Sequence, residues 1–172
     1  MKTIHSEIEQ LINQQINLEL HSANQYLCMA SHFIDEEMAG IGNFFLIQSQ
    51  EENMHALKQY TYLHDIGGKF RLGDLKAPDQ NFTGDYKSVF EKALALELNV
   101  TKSIYNIVDK AQQHKDFATY TFFEWFVTEQ VEEEATLRKL IKKLEMIATN
   151  TSALFLFDQE LGARKLAADP AK

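Results

Sequence analysis

A chain of 172 residues with 45% apolar side chains can close one sizeable core. Its formal net charge of −8 argues against nucleic acid or an anionic membrane surface as partner and allows cations. Cys28 is the only cysteine, so an intrachain disulfide is excluded and a reducing compartment is indicated.

The N-terminal residues Met1 to Ser6 lack the apolar run of a signal peptide, and the longest strongly apolar run, Ala153 to Phe157, is too short to span a bilayer. A cytoplasmic protein with no membrane partner is therefore expected. Two prolines and seven glycines leave room for long unbroken helices.

Ser6-Glu7-Ile8-Glu9 has the form of a capping box and predicts the start of a first helix running to about Phe33. Ile8, Ile12, Ile16, Ala23, Leu27, Ala30 and Ile34 form its inward stripe, and Glu19 and Tyr26 fall on that stripe. A second helix is predicted from about Ile41 to Ile66, with Phe45, Glu52, His55, Tyr62 and Ile66 on one face. Gly67-Gly68 stops it.

The stretch from there to about Asp85 has no period. About twenty extended residues reach ~65 Å, enough to travel back along a bundle and make the second and third helices parallel. Ser88-Val89-Phe90-Glu91 is a second capping box, followed by an inward stripe that carries Glu97 among Phe90, Ala93, Val100 and Ile104. Asp116 is placed to cap a fourth helix. Its stripe of Phe123, Phe126, Leu137, Leu140 and Leu144 is interrupted by Gln130 and Glu133. A short helix from about Ser152 stops at Gly162, and the tail beyond it reads as frayed. The expectation is an all-α single domain over 1–172: a four-helix bundle over about 6–148 with a long crossover between its second and third helices, a short fifth helix over about 152–162, and a tail over 163–172.

Glu52 and His55 stand one turn apart on a helix and present a carboxylate and an imidazole together, a ligand pair for a first-row transition metal. Alone, this spacing is as common on solvated helices. The context strengthens it. A shift of 78 positions lays the first half of the chain on the second: Glu19 falls on Glu97, Glu51 on Glu129, Glu52 on Gln130 and His55 on Glu133. With the crossover, the two helix pairs are related by a pseudo-twofold axis, which brings these residues to one interior layer. Several carboxylates facing each other inside a bundle cost several kcal/mol each. Either they are protonated, or the stripes turn outward, or metal ions lie between them. A carboxylate-rich set with one imidazole suits iron or manganese better than zinc.

The stretches Asn17-Leu18-Glu19-Leu20 with Tyr26, Phe45 to His55, Gly67-Gly68-Lys69, Leu96-Glu97-Leu98 and Trp125 to Glu134 resemble the ferritin family, nearest to its bacterial non-haem type, over nearly the whole chain. The resemblance implies iron storage with ferroxidase activity: Fe(II) oxidised to Fe(III) by O2 or H2O2 at a di-iron centre, then stored as ferric oxide mineral inside a homo-oligomeric shell of 24 subunits. It assigns Glu19, Glu52 and His55 to a first iron, with Glu52 bridging, and Glu52 and Glu97 to a second, with Gln130 beside it. Tyr26 matches a tyrosine next to the centre and is a candidate electron donor. Glu51, Glu129, Glu132 and Glu133 match a third iron site.

Bacterioferritins carry a second Glu-x-x-His where this chain has Gln130 and Glu133, and a haem-ligating methionine where it has Asn53, so no haem is expected. A soluble di-iron oxidoreductase of the rubrerythrin-like peroxide reductase type is the alternative reading.

Overall fold

The computed structural model describes residues 4–147 and 149–166. Among them run five α-helices: α1 (Ser6–Asp35), α2 (Ala39–Asp65), α3 (Tyr86–Gln113), α4 (Phe117–Ile147) and α5 (Thr151–Gly162). Contacts between helix ends set the directions. Asn13, early in α1, bonds Lys69 just past the end of α2, so α1 and α2 are antiparallel. Glu7 at the start of α1 meets Lys110 and His114 at the end of α3. Lys87 at the start of α3 reaches Glu145 late in α4. α2 and α3 are therefore parallel, as the length of the connection between them requires.

That connection is not loose. Two buried amides of α1 each clamp its backbone. Asn13 donates to the Lys69 carbonyl at 2.9 Å and accepts from the Arg71 amide at 2.6 Å. Gln25 does the same at Asp79, at 2.9 and 2.8 Å. Paired this way, the side chains satisfy an extended backbone that has no neighbouring strand.

Helix ends depart from the sequence expectation in detail. Neither serine is an N-cap. His5 caps α1 by accepting from the Glu7 amide, and Asp85 caps α3 by accepting from the Ser88 amide. Ser6 and Ser88 lie inside the first turns, where the capping-box spacing misplaced the boundary. Asp116 does support the start of α4, accepting from the Thr119 hydroxyl at 2.8 Å. α2 ends as its glycines demand: Gly67 has φ +80°, and the Gly68 amide reaches back to the Leu63 carbonyl at 2.8 Å. α1 and α3 close with the same six-residue geometry using Glu37 and Lys115 at positive φ.

Of the α1 stripe, Leu27 and Ile34 are 50% and 54% exposed, because the stripe of a straight helix drifts off a strict heptad line.

The apolar core is split. One cluster gathers Tyr26, Phe33, Phe44, Phe45, Phe90 and Leu137 with α5's Phe157 and Leu161. The other, at the opposite end, gathers Ile8, Ile12, Leu63, Ile104, Phe123 and Phe126. A full side chain of this kind contributes about 1.5–3 kcal/mol on burial. Between the two clusters lies the polar layer. α5 packs on α2: Asp158 accepts from the Ile41 amide at 2.8 Å, capping α2 from outside, and Gly40 leaves room for the α5 backbone.

Candidate metal centre

Four helices supply the layer. Glu19 comes from α1, Glu52 and His55 from α2, Glu97 from α3, and Gln130 and Glu133 from α4; all six are buried. Each stands on its helix's inward face by the same 3.6-residue period that places the neighbouring isoleucines and phenylalanines. The stripes do not turn outward, so that alternative falls.

Ligand atoms of Glu19, Glu52 and His55 lie within 4.8 Å of one another. The His55 Nδ1 stands 4.0 Å from Glu52 Oε1, and Trp125 and Phe126 pack edge-on against its ring. Glu19 is held on one side only. Gln15 and Gln59 both donate to its Oε1, at 2.9 and 2.7 Å, while its Oε2 has no hydrogen-bond partner. Among the described residues, neither oxygen of Glu52 has a donor from any other side chain, although the residue is 1% exposed; its only close polar neighbours are Glu19, with which it can share a proton, and His55. Burying a carboxylate without partners is costly. A divalent cation between Glu19, Glu52 and His55 would satisfy all three free oxygens, and this hard-oxygen set with one imidazole fits iron.

Glu97, whose charge acts on Glu52, is held by hydrogen bonds of its own. Tyr26, fully buried, donates its phenol proton to Glu97 Oε1, and Gln130 donates to Oε2 at 2.9 Å. Gln130 also reaches Thr101 at 3.2 Å, and Thr101 in turn donates to Glu134 at 2.7 Å.

Burial dominates the acidities. It pushes Glu52 well above the usual carboxylate range, with repulsion from Glu97 and Glu19 adding to it. It raises Glu97 to about 7 against the opposing bonds from Tyr26 and Gln130. Burial, then Glu97, raises Glu133 to about 8. The Tyr26 phenol is pushed up by burial and by the surrounding carboxylates.

The residues matched to a third metal are less tightly gathered. Glu133 is buried, Glu51 and Glu129 are half-buried, and Glu132 is exposed. Gln48 donates to Glu133 at 2.8 Å, and Arg164 pairs with Glu51 at 2.6 Å. Arg164 is thus anchored rather than frayed, which corrects the expected tail at that position; residues 167–172 of the tail lie outside the described residues.

Four residues that hold the layer escaped the sequence reading: Gln15, Gln48, Gln59 and Arg164. A signal existed for the amides. Gln15 and Glu19, Gln48 and Glu52, and His55 and Gln59 are each four apart and share a face. Nothing local marked Arg164.

His5, Glu7 and His114 form a second close group at the far end of the bundle. There Glu7 is shared between Lys110 and His114, His5 Nδ1 is spent on the α1 cap, and the two imidazoles stack at 3.7 Å. The group clasps the start of α1 to the end of α3.

Residues 9–147 match the model of the ferritin-like domain. The chain is 38% identical to a bacterial non-heme ferritin of Campylobacter jejuni, over 91% of this chain and 93% of that protein. It is 37% identical to a bacterial non-heme ferritin of Staphylococcus saprophyticus, over 94% and 96%. Its fold superposes on an open pore ferritin from the archaeon Archaeoglobus fulgidus with a TM-score of 0.93 at 39% identity, covering 96% of this chain and all of that one. Helix order, crossover, carboxylate layer and these likenesses agree, and the chain belongs to the ferritin-like family.

Proposed function

We propose that the protein is a ferroxidase and iron store. The observation that carries this reading is the set of three carboxylate oxygens on Glu19 and Glu52 that no donor group satisfies, buried beside His55. Fe(II) is the substrate. Glu19, Glu52 and His55 bind the first ion, and Glu52 with Glu97 binds the second, Gln130 lying beside it. Each Fe(II) gives up one electron, and O2 or H2O2 takes up a pair; the metals carry the redox change.

The chain's own groups do the rest. The Gln15 and Gln59 amides turn the free oxygen of Glu19 toward the first ion. The two apolar clusters keep water out. Tyr26, hydrogen-bonded to Glu97, is the phenol placed to lend one further electron when O2 is reduced beyond the pair that the irons supply, its proton passing to Glu97. Glu51, Glu129, Glu132 and Glu133 form the onward route as a third iron site. Iron then mineralises in a shell of 24 copies, in the cytoplasm, without haem. Family membership supports the shell. Among the described residues no helix is long and apolar enough to cross a membrane.

Aerobic Fe(II) titration followed by absorbance, run beside size-exclusion chromatography, tests the proposal. Saturable oxidation at two Fe(II) per subunit in a particle of roughly half a megadalton is the expected result. Oxidation in a dimer-sized species would favour the peroxide reductase reading, and no saturable oxidation would remove both.

A further inference from the structure

Arg164 lies beyond the last residue of α5, yet its side chain is built into the bundle. The guanidinium sits over the Phe44 ring, 4.7 Å from its centroid. One arm donates to Gln48 Oε1, and the other donates to Glu51 Oε2 at 2.6 Å. Gln48 is fully buried and carries the contact inward, its Nε2 donating to Glu133 Oε2 at 2.8 Å. A single fixed positive charge from the C-terminal segment therefore engages two of the four carboxylates read above as the third metal site, Glu51 directly and Glu133 through one amide.

We propose that Arg164 is a positioning residue that serves as the resident counter-charge of the third metal site, so that an incoming iron ion must displace it from Glu51. The inference rests on the proposed function. Its physics is competition. With Arg164 in place, Glu51 is bonded and the mutual repulsion of Glu51, Glu129 and Glu133 is offset without metal. A divalent ion coordinated by Glu51 would stand a few ångströms from the guanidinium, in surroundings where like charges repel strongly.

The site is thereby made weak, which suits a place that hands iron on instead of keeping it. Gln48 responds too: once the guanidinium leaves, its carboxamide is free to turn and release Glu133. Arg164 can retreat without undocking α5, because Asp158, Phe157 and Leu161 hold that helix independently.

The test titrates the assembled, metal-free protein with Zn2+ by calorimetry and locates the ions by anomalous diffraction from Zn2+-soaked crystals. R164Q should bind the third ion about tenfold more tightly than the parent. R164K keeps the charge but not the two-armed fork and should stay near the parent. R164M, which keeps an apolar stem over Phe44, is the second charge-free variant should R164Q assemble poorly. E51Q in either background should abolish the third binding event.

Equal or weaker third-site binding in R164Q and R164M, or no third event in any variant, overturns the inference and leaves the di-iron reading intact. Failure of Zn2+ to occupy Glu19, Glu52 and His55 in the parent overturns the proposed function, whatever Arg164 does.

Discussion

Glu97 and Glu133 tie the protein's stability to protons. Their acidities are raised to about 7 and about 8 from an ordinary value of 4.5. A carboxyl whose folded pKa is raised contributes stability that is complete below 4.5 and is lost as the pH climbs through the folded value. The metal-free protein should therefore melt at progressively lower temperature as the pH rises from about 4.5, the fall ending near 7 for Glu97 and near 8 for Glu133. Metal binding requires the ionised forms, so Zn2+ affinity should rise over the same window with proton release, measurable by calorimetry in buffers of different ionisation enthalpy. A melting temperature that rises with pH across this window would contradict the assignment.

Glu19 permits a cleaner test of the proposed first iron position. Replacement by alanine would strip Gln15 and Gln59 of their shared acceptor, at about 1–3 kcal/mol for buried amides left unpaired. Glu19→Gln keeps an acceptor oxygen and the volume. It should leave metal-free stability within about 1 kcal/mol of the parent while slowing the fast phase of Fe(II) oxidation about tenfold or more. Parental stopped-flow rates in that variant would remove Glu19 from the ligand set.

At the scale of elements, α5 is the piece whose placement has consequences elsewhere. Its seat depends on Gly40: a Cβ there would lie 1.8 Å from the Asp158 carbonyl oxygen and 2.9 Å from the Asp158 side chain. The neighbouring atoms are α5 backbone, which cannot step aside as a flexible side chain could. Gly40→Ala should therefore push α5 off α2, break the bond from Asp158 to the Ile41 amide, and cost about 1–3 kcal/mol. Hydrogen exchange would show it as lost protection over α5 and the first turn of α2, with α3 unchanged. Protection unchanged over α5 would mean that the helix docks by Phe157 and Leu161 alone.

For the molecule as a whole, the 78-residue repeat makes the two halves of the polar layer comparable and unequal. Glu52 and His55 in one half correspond to Gln130 and Glu133 in the other. Gln130 stands as a donor to Glu97 at 2.9 Å, so the proposed second iron position has a neutral amide where a symmetric centre would have a carboxylate. The first position should fill first at limiting metal. Gln130→Glu should lower metal-free stability by about 1–3 kcal/mol, since it exchanges a hydrogen bond for a like charge against buried Glu97. It should also tighten the second position, keeping the first oxidation round fast and slowing later ones. Substoichiometric metal soaks with multi-turnover kinetics check both; equal occupancy in the parent, or unchanged later rounds in the variant, would contradict it.

Periodicity and spacing by themselves determined the helix inventory, the long crossover and the six residues of the polar layer. Those features are local or repeat in register: an inward stripe is legible residue by residue, and Glu19, Glu52, His55, Glu97, Gln130 and Glu133 each break one. What the tertiary structure alone decided are the pairings between stripes. The caps on His5 and Asp85 depend on where the chain enters each helix, not on a serine at the right spacing. Nothing in the sequence marks Asn13 and Gln25, whose partners are backbone groups of the crossover 54 to 58 residues away. Gln15 and Gln59 stand 44 residues apart and meet on one oxygen of Glu19. Arg164, at the edge of a tail that composition marked as loose, reaches Glu51 across 113 residues of sequence. Helical faces follow from a period of 3.6 residues, whereas the partner of a long polar side chain depends on which helices become neighbours, and that is settled only when the bundle closes.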